Sequence, residues 1–217
     1  MATTALEKCC NGLTGGPKSH HSPFQEKGLT LIELAIAVAI AALLITWASN
    51  SWLPVTERLS ATAVQSNTNR LFNLARTTAV FKNRIVTLCP LDAQNKCSSD
   101  WGLPVAIFED TANLRAVSDR GQVIRFIQLA TNGVIIPSKS SAHSWRSYFQ
   151  FNPDGTTRGT MGNLTWCPPS ETDTRAIHAR VNLGGRLIWS QDRDQDGIVE
   201  NAGGLPLNCR DLLNEYL

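Results

Sequence analysis

The chain has 217 residues, and 20 Lys and Arg oppose 18 Asp and Glu, which gives a formal net charge of +2. A balance this close to neutral lacks the excess of positive charge that a nucleic-acid-binding protein usually carries. The length is sufficient to bury one sizeable core, so we expect a single main folded domain.

Residues 1–28 form a polar leader in which lysines outnumber glutamates, and glycines and Pro17 interrupt any periodic pattern. This composition predicts a disordered segment on the cytoplasmic side of a membrane. Cys9-Cys10 and His20-His21 offer four potential metal ligands, but their spacing matches no zinc pattern. We therefore predict no metal in the leader.

An apolar run follows the leader, and no residue from 34 to 56 is charged. Such a run is long enough to span a bilayer, which takes about 20 apolar residues, so we predict a transmembrane helix over residues 29–53. Glu33 lies at its start, and a carboxylate within the hydrocarbon costs about 2.5 to 3.5 kcal/mol. A cleaved secretory signal is disfavoured by the length of the run, and an ordinary signal anchor leaves Glu33 unexplained.

Pro54 ends the apolar run, and its ring is expected to kink the helix or to force it to restart. Residues 54–83 then follow as an amphipathic helix. Its apolar positions recur at helical spacing and form one face: Leu71, Leu74, Ala75, Thr78 and Ala79. We expect the sheet that follows in the chain to cover this face.

Residues 84–217 predict a β-rich domain, because short segments rich in β-branched and aromatic residues alternate with Gly, Pro and Asp turns. The predicted strands are residues 85–89, 105–108, 123–127, 148–151, 164–167, 176–181 and 186–189. The turns are short enough for antiparallel pairing. A long helix followed only by antiparallel strands is an α+β fold.

The segment Gly28-Leu29-Thr30-Leu31-Ile32-Glu33-Leu34 resembles the type III signal of type IV pilins and type II secretion pseudopilins. The resemblance implies that prepilin peptidase cleaves between Gly28 and Leu29 and that the new amino terminus at Leu29 is methylated. It also implies that the Glu33 carboxylate meets the terminal amine of a neighbouring subunit during filament assembly. Two departures are Leu at the first mature position, where Phe is usual, and a leader of unusual length.

The soluble half resembles the GspH/FimT group of minor pilins and pseudopilins in the order of several short segments. They are Leu74-Ala75-Arg76, Arg84 to Pro90, Phe149 to Gly155, Cys167, Gly185-Arg186-Leu187 and a last cysteine. Together with the signal, the resemblance covers most of residues 27–209. It implies the pilin layout, in which a long N-terminal helix packs on an antiparallel sheet.

Four cysteines follow the apolar run: Cys89, Cys97, Cys167 and Cys209. An even number beyond a membrane span, without a Cys-x-x-Cys motif, favours disulfides in an oxidising compartment such as the periplasm. Four cysteines allow three pairings. We favour Cys89 with Cys97, which can meet across a turn, and Cys167 with Cys209, which would anchor the C-terminal segment.

Some members of the group bind DNA through a Gly-Arg-x-Arg turn near the C-terminus, and the corresponding segment here is Gly185-Arg186-Leu187-Ile188. The second arginine is missing, which removes one of two phosphate contacts. Arg175, Arg180 and Arg210 are the residues that could join Arg186 in a basic patch. DNA is therefore a partner that the sequence allows but does not favour, and a DNA-binding minor pilin for natural transformation is the alternative function.

The segment from Asp192 to Gly197 carries Asp at alternate positions and ends in Gly. Asp192, Asp194 and Asp196 resemble the first half of a calcium loop, and Glu200 is the residue that could complete the ligand set. The twelfth position, which holds Glu in an EF-hand, is Gly203, so the loop is not an EF-hand. The alternative is an Asp-rich turn without a metal.

The sequence contains no nucleophile elbow, phosphate loop, zinc-protease motif or dinucleotide fingerprint, so we predict neither an enzyme nor a small-molecule substrate. His143 and His178 are isolated. We expect a minor pilin or pseudopilin of the inner membrane, with its C-terminal domain in the periplasm. Its expected partners are other pilin subunits and prepilin peptidase, and its expected place is the priming tip of a filament.

Overall fold

The structure is a computed structural model that describes residues 30–129 and 132–217. The leader, with the predicted cleavage residue Gly28 and the predicted mature terminus Leu29, lies outside the described residues. The described residues up to Trp47 belong to one unit, and Ala48–Leu217 form another. Within the described ranges, no helix has both the length and the apolarity that crossing a membrane requires.

Helix α1 spans Leu31–Lys82 and continues through Pro54. The helix therefore does not restart at this proline. Proline removes one backbone donor from the helical ladder, and near this point the Thr56 hydroxyl donates a hydrogen bond to the Leu53 carbonyl at 2.9 Å. The limits predicted for the two helical parts, 29–53 and 54–83, stay predictions.

Among the described residues, eight strands follow α1 and pair in two antiparallel sheets. Their bounds are β1 Val86–Pro90, β2 Val105–Glu109, β3 Val123–Ile127, β4 Val134–Pro137, β5 Phe149–Phe151, β6 Gly162–Cys167, β7 Ile177–Val181 and β8 Leu187–Trp189. The first sheet has the order β3-β2-β1-β5 and the second the order β4-β6-β7-β8. Short 3-10 turns at Arg120–Gln122 and Asp173–Arg175 and a C-terminal helix α2, Cys209–Tyr216, complete the fold. The α+β class predicted from the sequence is confirmed.

The buried face of α1 forms one core with the inner faces of both sheets. Leu71, Ala75 and Ala79 are fully buried, as the helical spacing predicted, and Phe72 joins them. The Phe72 ring lies edge-on to Phe149 of β5, with ring centroids 5.1 Å apart. The predicted amphipathic face thus packs on the sheets, as expected.

The outer face of each sheet is also covered. Cys89, Ala106 and Phe108 on the first sheet pack under the segment that contains Cys97 and Val117. On the second sheet, Ile136 and Cys167 pack against Leu207, Cys209 and Leu213 of the C-terminal segment. Because both faces are covered, β1 is buried along its whole length and shows no alternation of polar and apolar residues.

Two elements were missed in the sequence. Strand β4 ends in Pro137 and lies at the edge of the second sheet, where a residue without a backbone donor is tolerated. Helix α2 has only 8 residues, too few to be stable alone. Asn208 caps it by accepting a hydrogen bond from the Asp211 backbone N–H at 3.0 Å. The prediction that only strands follow the first helix was therefore wrong.

Disulfides join Cys89 to Cys97 and Cys167 to Cys209, which is the pairing favoured from the sequence. Each lies on the outer face of a different sheet. The first closes a short loop after β1, and the second fixes the start of α2 to the end of β6. Both bonds therefore hold the segments that cover the outer faces.

His178 on β7 is buried in the second sheet, with 3% of its surface exposed. Its Nδ1 is 2.8 Å from the Thr165 hydroxyl, and its Nε2 has no hydrogen-bond partner among the described residues. Burial, together with the charge of Arg180, lowers the pKa of His178 from 6.5 to about 4. The imidazole is therefore neutral in the folded protein at neutral pH.

Removing the longer-range disulfide should destabilise the domain more than removing the local one. The cysteines are 42 residues apart in the Cys167–Cys209 bond and 8 apart in Cys89–Cys97. Loop-closure entropy then gives about 4 and about 2.5 kcal/mol, respectively. Guanidinium unfolding of the two double Cys→Ala variants measures this difference, and an equal loss in both would contradict it.

His178 should make stability fall as the pH decreases from about 6.5 towards 4, since the unfolded chain takes up the proton before the folded one. At pH 4.5 this loss amounts to roughly 2.5 kcal/mol relative to neutral pH. His178→Gln should remove that part of the acid destabilisation in urea unfolding. His143→Gln, at an exposed position, is the control and should retain it.

Candidate functional site

The described part of α1 begins with a side-chain cap. The Thr30 hydroxyl accepts a hydrogen bond from the Glu33 backbone N–H at 3.3 Å, and Leu34 N–H donates to the Thr30 carbonyl at 3.2 Å. Thr30 is therefore the N-cap and Glu33 the third helical residue, the spacing of a capping box. The exposed Glu33 carboxylate lies in the first turn, where the helix dipole favours negative charge.

An exposed apolar surface surrounds Glu33 on the first turns of α1. Every large aliphatic side chain from Leu31 to Ile45 is exposed, with exposed fractions from 52% to 88%. These side chains are Leu31, Ile32, Leu34, Ile36, Val38, Ile40, Leu43, Leu44 and Ile45. Exposed apolar patches of this extent mark a surface that lipid or another protein covers.

Glu57 is an acidic residue of α1 that the sequence analysis did not single out. Its side chain is fully buried and forms an ion pair with Arg175 at 2.5 Å. The Ser170 backbone N–H donates to its other oxygen at 3.1 Å. Burial acts to raise the pKa of Glu57, but the hydrogen bonds from Ser170 and Arg175 outweigh it and lower that pKa. The pair fixes the 168–175 loop to α1.

The four arginines considered as a basic patch differ in their contacts. Arg175 is paired with Glu57, and Arg210 lies 3.6 Å from the Glu171 carboxylate. Arg180 and Arg186 are exposed and form no ion pair within the described part of the chain. Two of the four positive charges are thus balanced by neighbouring carboxylates, which reduces the attraction that the group exerts on phosphate.

Arg186 follows a turn between β7 and β8 that glycine makes possible. Gly185 has φ of +71°, and an added Cβ would meet the Gly155 carbonyl and the Arg76 side chain. Arg76 Nε donates to that same carbonyl at 3.0 Å. The glycine before Arg186 is therefore explained by close packing of two turns, independently of any ligand.

The Asp-rich segment forms a loop after β8. Asp192, Asp194 and Glu200 each place a carboxylate oxygen within 4.8 Å of the others. Asp196, the fourth residue of the predicted set, is not in this group, and its carboxylate accepts a hydrogen bond from the Ile198 N–H at 2.7 Å. The loop therefore brings together three of the four predicted residues.

A cavity of about 520 Å³ lies beside the outer face of the second sheet, lined by residues that include Trp145, Thr165, His178 and Leu207. The Thr165 hydroxyl and His178 imidazole are hydrogen-bonded, but both side chains are buried. No carboxylate bonds to the other ring nitrogen in the described chain, and such a partner is what orients a catalytic histidine. The hydrogen bond joins β6 to β7, where Thr165 and His178 are paired across the two strands.

Three comparisons place these features among known proteins. The family model described as type II transport protein GspH matches residues 65–185, and that of the prokaryotic N-terminal methylation motif matches residues 24–49. No curated protein matches the sequence.

Two crystal structures of the type IV minor pilin FimU from Pseudomonas aeruginosa are similar to this structure. One is 18% identical, covers 72% of this chain and 99% of its own, and has a TM-score of 0.49. The other is 17% identical, covers 68% and 98%, and has a TM-score of 0.46.

The GspH match extends over more than half of the chain, and the methylation motif includes the start of α1 with Glu33. The family consists of structural subunits and is not an enzyme family. The chain therefore belongs to the GspH family and is a minor pilin or pseudopilin.

Proposed function

We propose that prepilin peptidase cleaves this chain between Gly28 and Leu29 and that its N-terminal helix then joins a type IV filament or a type II secretion pseudopilus. The observation that carries the proposal is the start of α1, where one carboxylate, Glu33, is followed by a wholly exposed apolar surface. The match of the methylation motif to residues 24–49 supports the same processing.

Before assembly, the apolar surface requires an apolar solvent, which the inner membrane supplies. We propose a single membrane span over residues 29–53, with the residues that follow it in the periplasm. The two disulfides support this side of the membrane, because structural disulfides persist in oxidising compartments. In the filament, neighbouring subunit helices replace lipid, and close van der Waals packing drives that exchange.

Glu33 is the specific element of this interface. Its carboxylate is exposed in the single chain, and its transfer among apolar helices without a counter-charge is unfavourable. The terminal amine that cleavage would create at Leu29 of a neighbouring subunit supplies the positive charge. We place this pairing in the priming tip complex, where minor subunits start polymerisation.

Glu33 also lies at the third position of a helical cap, so a test must separate its charge from its capping role. Glu33→Gln retains a residue type that suits a capping box but removes the charge. Both Glu33→Gln and Glu33→Ala should remain in the membrane fraction and should lose incorporation into sheared filaments or pseudopili by about tenfold or more, because breaking a buried charge pair costs about 3 to 5 kcal/mol.

Thr30→Ala is the matched control, since it weakens the cap but leaves the Glu33 carboxylate in place. It should assemble close to the wild-type level. Wild-type incorporation of Glu33→Gln would show that the charge has no role in assembly and would contradict the proposal.

Processing has its own measurement. Mass spectrometry of the protein purified from cells with active prepilin peptidase should find an N-terminus at Leu29 that carries one added methyl group. A peptidase-deficient strain should yield a chain that retains the leader. Recovery of the leader-bearing chain in cells whose other pilins are processed would instead favour an ordinary signal-anchored periplasmic domain.

A further inference from the structure

The loop between β8 and the C-terminal segment contains the densest group of carboxylates in the described chain. Asp192, Asp194 and Glu200 contribute oxygens that lie within 4.8 Å of one another. Two oxygens bound to one calcium ion at about 2.4 Å can be at most twice that distance apart. The measured spacing is therefore compatible with three carboxylates on a single ion.

Backbone N–H groups donate hydrogen bonds to all three side chains, and Asp192 receives two of them. Asp192 accepts hydrogen bonds from Gln195 N–H at 2.7 Å and from Gly197 N–H at 2.9 Å. Gly197 adopts φ of +88°, which a residue with a side chain rarely does. The loop thus fixes the orientation of the Asp192 carboxylate before any ligand binds.

Glu200 provides the observation that points to a cation. Its side chain is more than nine-tenths buried. Oε1 accepts a hydrogen bond from the Arg193 backbone N–H at 2.9 Å, whereas no group in the described ranges donates to Oε2. A buried carboxylate oxygen without a donor is costly, and the cost grows when other carboxylates lie beside it.

Positive side chains do not compensate for this charge. None of the ion pairs among residues 30–129 and 132–217 includes Asp192, Asp194 or Glu200. Arg193 lies within the loop, but the contact it makes with Glu200 is through its backbone. Three carboxylates thus face one another, with one oxygen buried and unbonded.

We propose that this loop binds one calcium ion through Asp192, Asp194 and Glu200. Carboxylate oxygens are hard ligands that suit calcium, and the group contains neither the sulfur nor the imidazole nitrogen that zinc prefers. Magnesium requires a small, nearly octahedral site and retains much of its water. A loop that offers only oxygen ligands, without an octahedral arrangement, therefore suits calcium best.

The ion joins residues 192–194 to the other end of the loop. Glu200 pairs with Pro206 in an isolated β-bridge, and Leu207 N–H donates to the Val199 carbonyl at 3.1 Å. Cys209 then begins α2 and is bonded to Cys167. In the proposed site calcium therefore holds residues 192–200, and the Cys167–Cys209 disulfide holds the end of the same C-terminal segment.

The test uses the full chain in detergent micelles, stripped with EDTA and then titrated with calcium or magnesium by calorimetry and thermal unfolding. Calcium should raise Tm by about 3 °C or more at millimolar concentration, and magnesium at the same concentration should have a much smaller effect. Asp194→Asn, at an exposed position, should weaken calcium affinity by about tenfold or more.

Glu200→Gln should change the stability of the protein in opposite directions without and with calcium. In EDTA the variant should be at least as stable as wild type, because it removes the uncompensated buried charge; in calcium it should be less stable, because it has lost a ligand. Asp154→Asn, an exposed turn residue outside the loop, is the control and should bind calcium as wild type does.

Three results would overturn the proposal. They are an absence of calcium binding by calorimetry at millimolar concentration, an equal response to magnesium, and calcium binding that Asp194→Asn and Glu200→Gln leave unchanged. The last two would indicate general attraction of divalent cations to an acidic surface.

Discussion

The packing of one face of α1 on two separate sheets is the constraint on which the rest of the domain depends. Leu71, Phe72 and Ala75 contribute to a core that also contains inner residues of β1, β2, β5, β6 and β7. The two sheets are not joined in a common strand order, so this shared core joins them, together with turn contacts such as the hydrogen bond from Thr157 N–H to the Leu183 carbonyl. The buried Glu57–Arg175 pair adds a specific polar contact between α1 and the loop after β6.

The sequence predicted the parts of the fold that local patterns determine. The apolar face of α1 was visible as helical spacing, and most strands were visible as β-branched runs between turns. Strand β4 has the same signal in Val134-Ile135-Ile136, but Pro137 obscures it. Helix α2 has an Asn208 cap and a buried Leu213 that packs on the second sheet. The helix is too short for its periodicity to be clear in the sequence, and its stability depends on the disulfide to the distant Cys167.

The functional sites show the same difference between features set by local sequence and features set by distant contacts. The positions of Glu33, Asp192 and Asp194 depend on spacing within a few residues, so sequence could group them. The sequence could not show that Glu200 is buried or that Asp196 lies outside the carboxylate group, because both depend on the three-dimensional path of the loop. It also could not show that Arg175 pairs with Glu57, because the two residues are far apart in the chain. The sequence likewise could not show which arginines are neutralised by neighbouring acidic side chains.

The placement of the disulfides on the outward sides of the sheets also bears on how the domain matures. Cys89 and Cys167 are both buried beneath segments that the bonds hold down. Before oxidation the chain lacks these two bonds, and the covering segments are then held over the strands by packing and hydrogen bonds alone. A reduced domain therefore exposes its sheets to other chains and to proteases more readily than an oxidised one.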